Sequence, residues 1–239
     1  MTSTTQPAPT VPEMGLAARA FNVIFAPRKA YEAVAARPKV LGVLLIAIVI
    51  MGLAQYLFLS TDVGQNAALD QQAAVIKALG INIPPQAAQR MEEGVKNARY
   101  TTPLSFLVFL PLFGAAVAGI LMAIFTVISG GGATYKQVYA VVAHSYLIGA
   151  IQQAFSVPIM YARGEMASPT ALAVFLPMLS EDGFLHHLLS AIDLFYLWSI
   201  INVSIGIAVV YKRRTGGVAA VLLGIYGFFA ILYAGWRAL

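Results

Sequence analysis

Of 239 residues, 59% are apolar and 10% charged, against roughly 45–50% and about 25% in ordinary soluble domains. Together with a mean hydropathy of +0.78, this excludes a soluble globular domain, an intrinsically disordered chain and a solvent-exposed nucleic-acid-binding domain. The 15 Lys and Arg against 10 Asp and Glu lie beside apolar blocks rather than in one tract, so no nucleic-acid partner is expected, and with no cysteine there is no disulfide, thiolate metal site or thiol catalysis.

Residues 1–12, rich in Pro and Thr, read as a disordered tail. The segment 13–39 has helical periodicity in two pieces broken at Pro27, with Leu16, Ala20, Val23 and Ile24 on one side. Arg28, Lys29, Arg37 and Lys39 cluster before the first apolar block. This suits an amphipathic element on an anionic leaflet; a cap packed on the spans is the alternative. The remainder, 40–239, is a membrane domain with five apolar blocks at about 40–59, 104–128, 138–160, 184–210 and 218–236, each near or above the roughly 18–20 residues that cross the hydrocarbon core. The first block is too long for a cleavable signal, so it is expected to remain as a span.

The external loop 60–102 is too long for a turn. Asp70–Leu79 is helix-compatible, Gly80 can end it, and Pro84-Pro85 sets up a second helix with Ala87, Ala88, Met91 and Val95 on one face. An extramembrane helical hairpin between spans one and two follows. After span two, Gly130-Gly131-Gly132 provides a tight reversal. Lys136 comes next but is followed by Gln137, and no strand precedes it, so a phosphate cradle is not expected. The apolar stretch 169–180, with Pro near each end, is too short to cross and reads as interfacial or re-entrant.

With the N-terminus inside, the inner segments hold nine Lys and Arg and the outer ones six, four of those in the long first loop, where they weigh less. The fold is therefore expected to be all-α: a polytopic five-span transmembrane helical bundle, N-inside and C-outside, multi-pass in the cell membrane.

Asp193 is the one carboxylate inside a block, and at that depth it should face the bundle. On uninterrupted helical spacing Ser190 and His186 share its face. His144 and Gln152 supply a second polar cluster from span three, with Gln153 opposite. These five, Asp193, Ser190, His186, His144 and Gln152, form a candidate polar site or proton path; the alternative is that they are hydrogen-bonded packing between helices. The adjacent His186 and His187 diverge by about 100° on a helix, so no metal site is expected. Nor is any cofactor, since the motifs of metalloproteases, serine hydrolases and carboxylate dyads are missing.

Three motifs carry a family resemblance: Phe25-Ala26-Pro27 with Arg37-Pro38 before span one; Gly130-Gly131-Gly132-Ala133-Thr134-Tyr135-Lys136-Gln137 after span two; and Ile192-Asp193-Leu194-Phe195-x-x-Trp198 in span four. The chain resembles the Yip (Ypt-interacting protein) family over most of residues 20–236. The resemblance implies five transmembrane helices with a cytoplasmic N-terminus. In eukaryotic relatives it implies a role in vesicle traffic through Rab-type GTPases and in membrane shaping. The short N-terminal tail and the long outer loop depart from those relatives and are closer to prokaryotic members. The function expected is that of a non-enzymatic scaffold that organises membrane or binds a protein partner or its own copies in the lipid bilayer. The alternative is a small transporter or channel component using the site around Asp193.

Overall fold

The computed structural model describes residues 14–238, and the tail expected at 1–12 lies outside them. The described residues form nine α-helices and one 3-10 turn: α1 (Leu16–Phe25), α2 (Pro27–Ala36), α3 (Leu41–Leu59), α4 (Asp62–Ala78), α5 (Pro85–Ser129), α6 (Tyr135–Arg163), the 3-10 turn Leu172–Phe175, α7 (Phe184–Ser190), α8 (Leu194–Val210) and α9 (Thr215–Arg237). Four of them, α3, α5, α6 and α9, are long and apolar enough to cross a membrane.

Local chemistry explains the boundaries. Pro27 and Pro85 each occupy a first helical turn, where the missing N–H has no intrahelical partner in any case. Helix α5 ends at Gly130, whose φ of 80° is left-handed, the conformation glycine adopts at no steric cost. Thr134 and Gln137 then form a capping box at the start of α6: the Thr134 hydroxyl accepts from the Gln137 N–H at 3.3 Å, and Gln137 Oε1 accepts from the Thr134 N–H at 2.9 Å.

Two expectations are corrected in part. The loop 60–102, expected outside, does fold as a helical hairpin, with α4 as its first arm and Gly80 (φ 71°) in its turn. Its second arm, however, does not stop before span two: α5 runs through both as 45 residues, about 67 Å at 1.5 Å per residue. Pro103 and Pro111 lie inside it without ending it. The fourth block, expected as one span over 184–210, is two helices. Helix α7 ends at Ser190 and α8 starts at Leu194; with 17 residues it measures about 25 Å.

Of the segment expected at 13–39, the described residues, from Met14 onward, pack on the bundle. Val23, Ala30, Tyr31 and Val34 have no exposed surface, and α1 and α2 wedge against α3, α6 and α8. Glycine makes this possible at Gly206 of α8, where a Cβ would stand 2.4 Å from Val141 Cγ1 and 3.1 Å from Tyr31 Cδ1.

Three chain reversals share one end of the bundle. Gln137 of α6 donates to the Ala35 carbonyl of α2 at 2.8 Å, while Thr126 of α5 pairs with the Tyr211 hydroxyl after α8 at 3.3 Å. At the opposite end Phe58, Leu59, Ala67, Ala68, Val95 and Met160 form a separate cluster that anchors the base of the α4–α5 hairpin.

Candidate functional site

Asp193 sits not within a helix but at the N-cap of α8, in extended conformation (φ −112°, ψ 137°) and 2% exposed. Its Oδ1 accepts from the N–H groups of Phe195 at 2.8 Å and Tyr196 at 3.3 Å, which satisfies two of the orphan donors of the first turn. The same oxygen accepts from Gln152 Nε2 of α6 at 3.2 Å. Its Oδ2 accepts from the Ser168 hydroxyl at 2.5 Å and the Thr170 hydroxyl at 2.7 Å. Five donors therefore converge on one carboxyl group.

The backbone around it is tied down as well. Residues 170–172 pair with 192–194 in a short antiparallel bridge: the Leu172 N–H donates to Ile192 O at 2.8 Å and the Leu194 N–H to Thr170 O at 3.1 Å. Tyr226 of α9 donates its hydroxyl to Ala191 O at 2.6 Å and accepts from the Asp193 N–H at 3.3 Å. One carboxylate thus gathers α6, the 164–171 connection and the α7–α8 break, and Tyr226 fastens α9 to the same point.

Of the five residues nominated from the sequence, the structure brings Gln152 to Asp193. It does not bring the others. Because the helix breaks at 191–193, helical spacing does not carry Ser190 and His186 onto the Asp193 face; Ser190 is exposed, and His186 stands edge-on to His187 with ring centroids 5.9 Å apart. His144 is fully buried, with Nδ1 2.7 Å from the Ala140 carbonyl and Nε2 without a partner among the described residues. It lies two turns of α6 from Gln152, about 12 Å. Among the motif residues, Gly130, Gly131 and Gly132 all have positive φ (80°, 78° and 137°) in the α5–α6 reversal, and Lys136 is exposed beside them. Trp198 packs near Phe195, centroids 5.9 Å apart, on an open apolar groove of about 680 Å³ that also takes in Phe155, Val174 and Phe175.

Ser168, Thr170 and Tyr226 were not foreseen. Their link to Asp193 spans 23 to 33 residues, and only a kink at 191–193 makes it possible. A second buried polar node was also missed. Tyr31 of α2 donates to Asn202 Oδ1 of α8, and Asn202 Nδ2 donates to the Val23 carbonyl at 2.7 Å. That carbonyl lies in the last turn of α1, just ahead of Pro27. Burial pushes the Tyr31 hydroxyl's pKa up, so it stays a neutral donor. Arg19, 3% exposed, closes the same unit by donating to Met14 O at 2.9 Å and Arg37 O at 3.3 Å.

A family model described as the Yip1 domain matches residues 21–237, from within α1 to the last turn of α9. The chain belongs to the Yip1-domain family. This Yip1-domain protein is also 25% identical over 232 residues to the membrane protein YknW of Bacillus subtilis (strain 168), an alignment that covers 88% of this chain and 87% of that protein. No solved structure matches. Membership and the four long apolar helices make this a multi-pass membrane protein in contact with the lipid bilayer.

Proposed function

We propose that this Yip1-domain protein is a non-enzymatic scaffold of the cell membrane that organises lipid or holds a protein partner or further copies of itself. In this reading α3, α5, α6, α8 and α9 are five spans, with α8 crossing as the shortest and the N-terminus in the cytoplasm. The observation that carries the scaffold reading is the hydrogen bonding of Asp193: two of its donors cap its own helix α8, and the three side-chain donors, Gln152, Ser168 and Thr170, tie that cap to α6 and to the 164–171 connection. A carboxylate used in that way acts as an internal tie. Asn202, with Tyr31 and Val23, is used likewise, as is the 3.0 Å link from Gln55 of α3 to Gln153 of α6.

Charge supports the orientation. The end of the bundle where Ala35, Gln137 and Tyr211 meet exposes Arg28, Lys29, Arg37, Lys39, Lys136, Lys212, Arg213 and Arg214, against Glu32 as the one acid among the described residues there. The opposite end holds Lys77, Arg90, Lys96, Arg99, Arg163 and Arg237 with Asp62, Asp70, Glu92, Glu93, Glu165, Glu181 and Asp182. Positively charged connections tend to stay in the cytoplasm, which supports the reading that takes the first end as the inner one.

Reconstitution into vesicles with an imposed proton gradient tests the scaffold reading. The expected result is a proton flux no greater than that of protein-free vesicles, with partners or copies captured when a photoreactive residue replaces Leu79 at the hairpin tip in native membranes. A flux that Asp193→Asn abolishes while the protein stays folded would overturn it in favour of transport.

A further inference from the structure

At the inner end the last turns of α5 and the first turns of α9 leave a cleft of about 360 Å³ between them, within the roughly 300–1,000 Å³ range of ligand clefts. Its floor is apolar: Phe125 and Val218 are 2% and 3% exposed. Ile128, 61% exposed, and Val221 form the walls, and Gly217 leaves open space where a side chain would intrude. Arg213 and Arg214, both exposed, line the same cleft. They follow Lys212, a non-glycine residue with φ 53° that turns the chain between α8 and α9.

We propose that this cleft is a binding site for an anionic phospholipid, with the headgroup phosphate on Arg213 and Arg214 and an acyl chain along Phe125, Ile128, Val218 and Val221. Three observations select this occupant. The cleft joins a cationic mouth to an apolar floor in the order in which a phospholipid presents phosphate and hydrocarbon. It lies at the ends of two long apolar helices, where a bilayer places its phosphates. It also opens on the face that has, among the described residues, eight exposed basic side chains to one acid, where charge complementarity favours an anion. Guanidinium groups suit the role because their planar donors pair two-pronged with phosphate oxygens. The proposal needs the chain only to be embedded in a membrane, so it stands or falls independently of the scaffold reading.

The test is native mass spectrometry of the full chain in detergent, titrated with phosphatidylglycerol and, separately, with phosphatidylcholine of the same acyl chains. The wild type should retain phosphatidylglycerol in preference. Arg213→Gln with Arg214→Gln should weaken that binding roughly 30-fold, from two lost basic contacts, and weaken phosphatidylcholine less, because its choline cation already offsets the phosphate charge, so that the preference is lost. A control of equal charge, Lys29→Gln with Lys136→Gln, should keep the preference, and so separates a built site from diffuse attraction. Gly217→Leu should weaken both lipids by filling the cleft, and inorganic phosphate should fail to displace the bound lipid. Equal retention of the two lipids by the wild type, the same loss in the control pair as in the arginine pair, or displacement by inorganic phosphate would each overturn the proposal.

Discussion

Replacing the Asp193 carboxylate separates its two uses. An asparagine keeps one oxygen for the Phe195 and Tyr196 N–H groups, and its amide can donate to the Ser168 and Thr170 hydroxyls, which accept as readily as they donate. Asp193→Asn should therefore cost about 1 kcal/mol, on the order of one hydrogen bond. Asp193→Ala loses the cap and all three side-chain partners and should cost about 3 kcal/mol. Unfolding in mixed micelles with increasing SDS measures both, and equal midpoints for the two variants would refute the cap. Gly206 is the steric counterpart. Gly206→Ala sets a methyl against Val141 and the Tyr31 ring and should destabilise by about 1–3 kcal/mol through overpacking. Adding Val141→Ala should recover part of that loss, since the closest atom is then gone, and the same unfolding series would reveal the coupling.

At the scale of the element, α1 and α2 act as one unit whose attachment depends on Asn202. Asn202→Leu leaves the Val23 carbonyl and the Tyr31 hydroxyl buried without their partner, a loss of about 2 kcal/mol. The expected outcome is faster trypsin cleavage at Arg28 and Lys29 with no change at Lys212, followed by mass spectrometry of the fragments. Helix α5 divides along its length. Near its anchored base Val95 is 1% exposed and packs with Phe58, Leu59 and Met160, whereas the hairpin tip around Val75, Leu79 and Ile81 is more than half exposed. Amide exchange should accordingly be fast over residues 72–90 and slow from Val95 onward. Uniform protection over both would contradict that division. A peptide of residues 70–99 should be only weakly helical in isolation, because its helical arms, 70–78 and 85–99, are no longer than about 15 residues and so are marginal without packing.

For the whole molecule, the testable property is which end faces the cytoplasm. With no native cysteine, single cysteines at Gln89, Thr134 and Ala167 report cleanly. All three positions are exposed. An impermeant maleimide applied outside intact cells should label Gln89→Cys and Ala167→Cys but not Thr134→Cys. The reverse pattern would invert the orientation and would place the basic end, with its Arg213–Arg214 cleft, on the outer leaflet.

How much of this was legible beforehand depended on the range of the interaction. Apolar blocks, the Gly130 reversal, the helix start at Pro85 and the family motifs depend on composition or on neighbours within a few residues, and so can be read directly from the chain. The charge difference between connections can be read there too, since Lys and Arg beside a span do not need a partner to be counted. Tertiary structure decided the rest. A continuous apolar run from 184 to 210 gives no local reason to break, because Ala191 and Ile192 are tolerable in a helix; the break exists because Thr170, Ser168, Gln152 and Tyr226 converge on it from elsewhere. For the same reason Ser190 and His186 looked like neighbours of Asp193 on a helix that does not run through it. Whether the segment 13–39 would lie on lipid or pack on the bundle was likewise undecided by its amphipathic pattern, since both environments reward an apolar face. What decided it was the fit of Tyr31 over Gly206 and its hydrogen bond to Asn202, 171 residues away, and a contact at that separation has no periodicity to announce it.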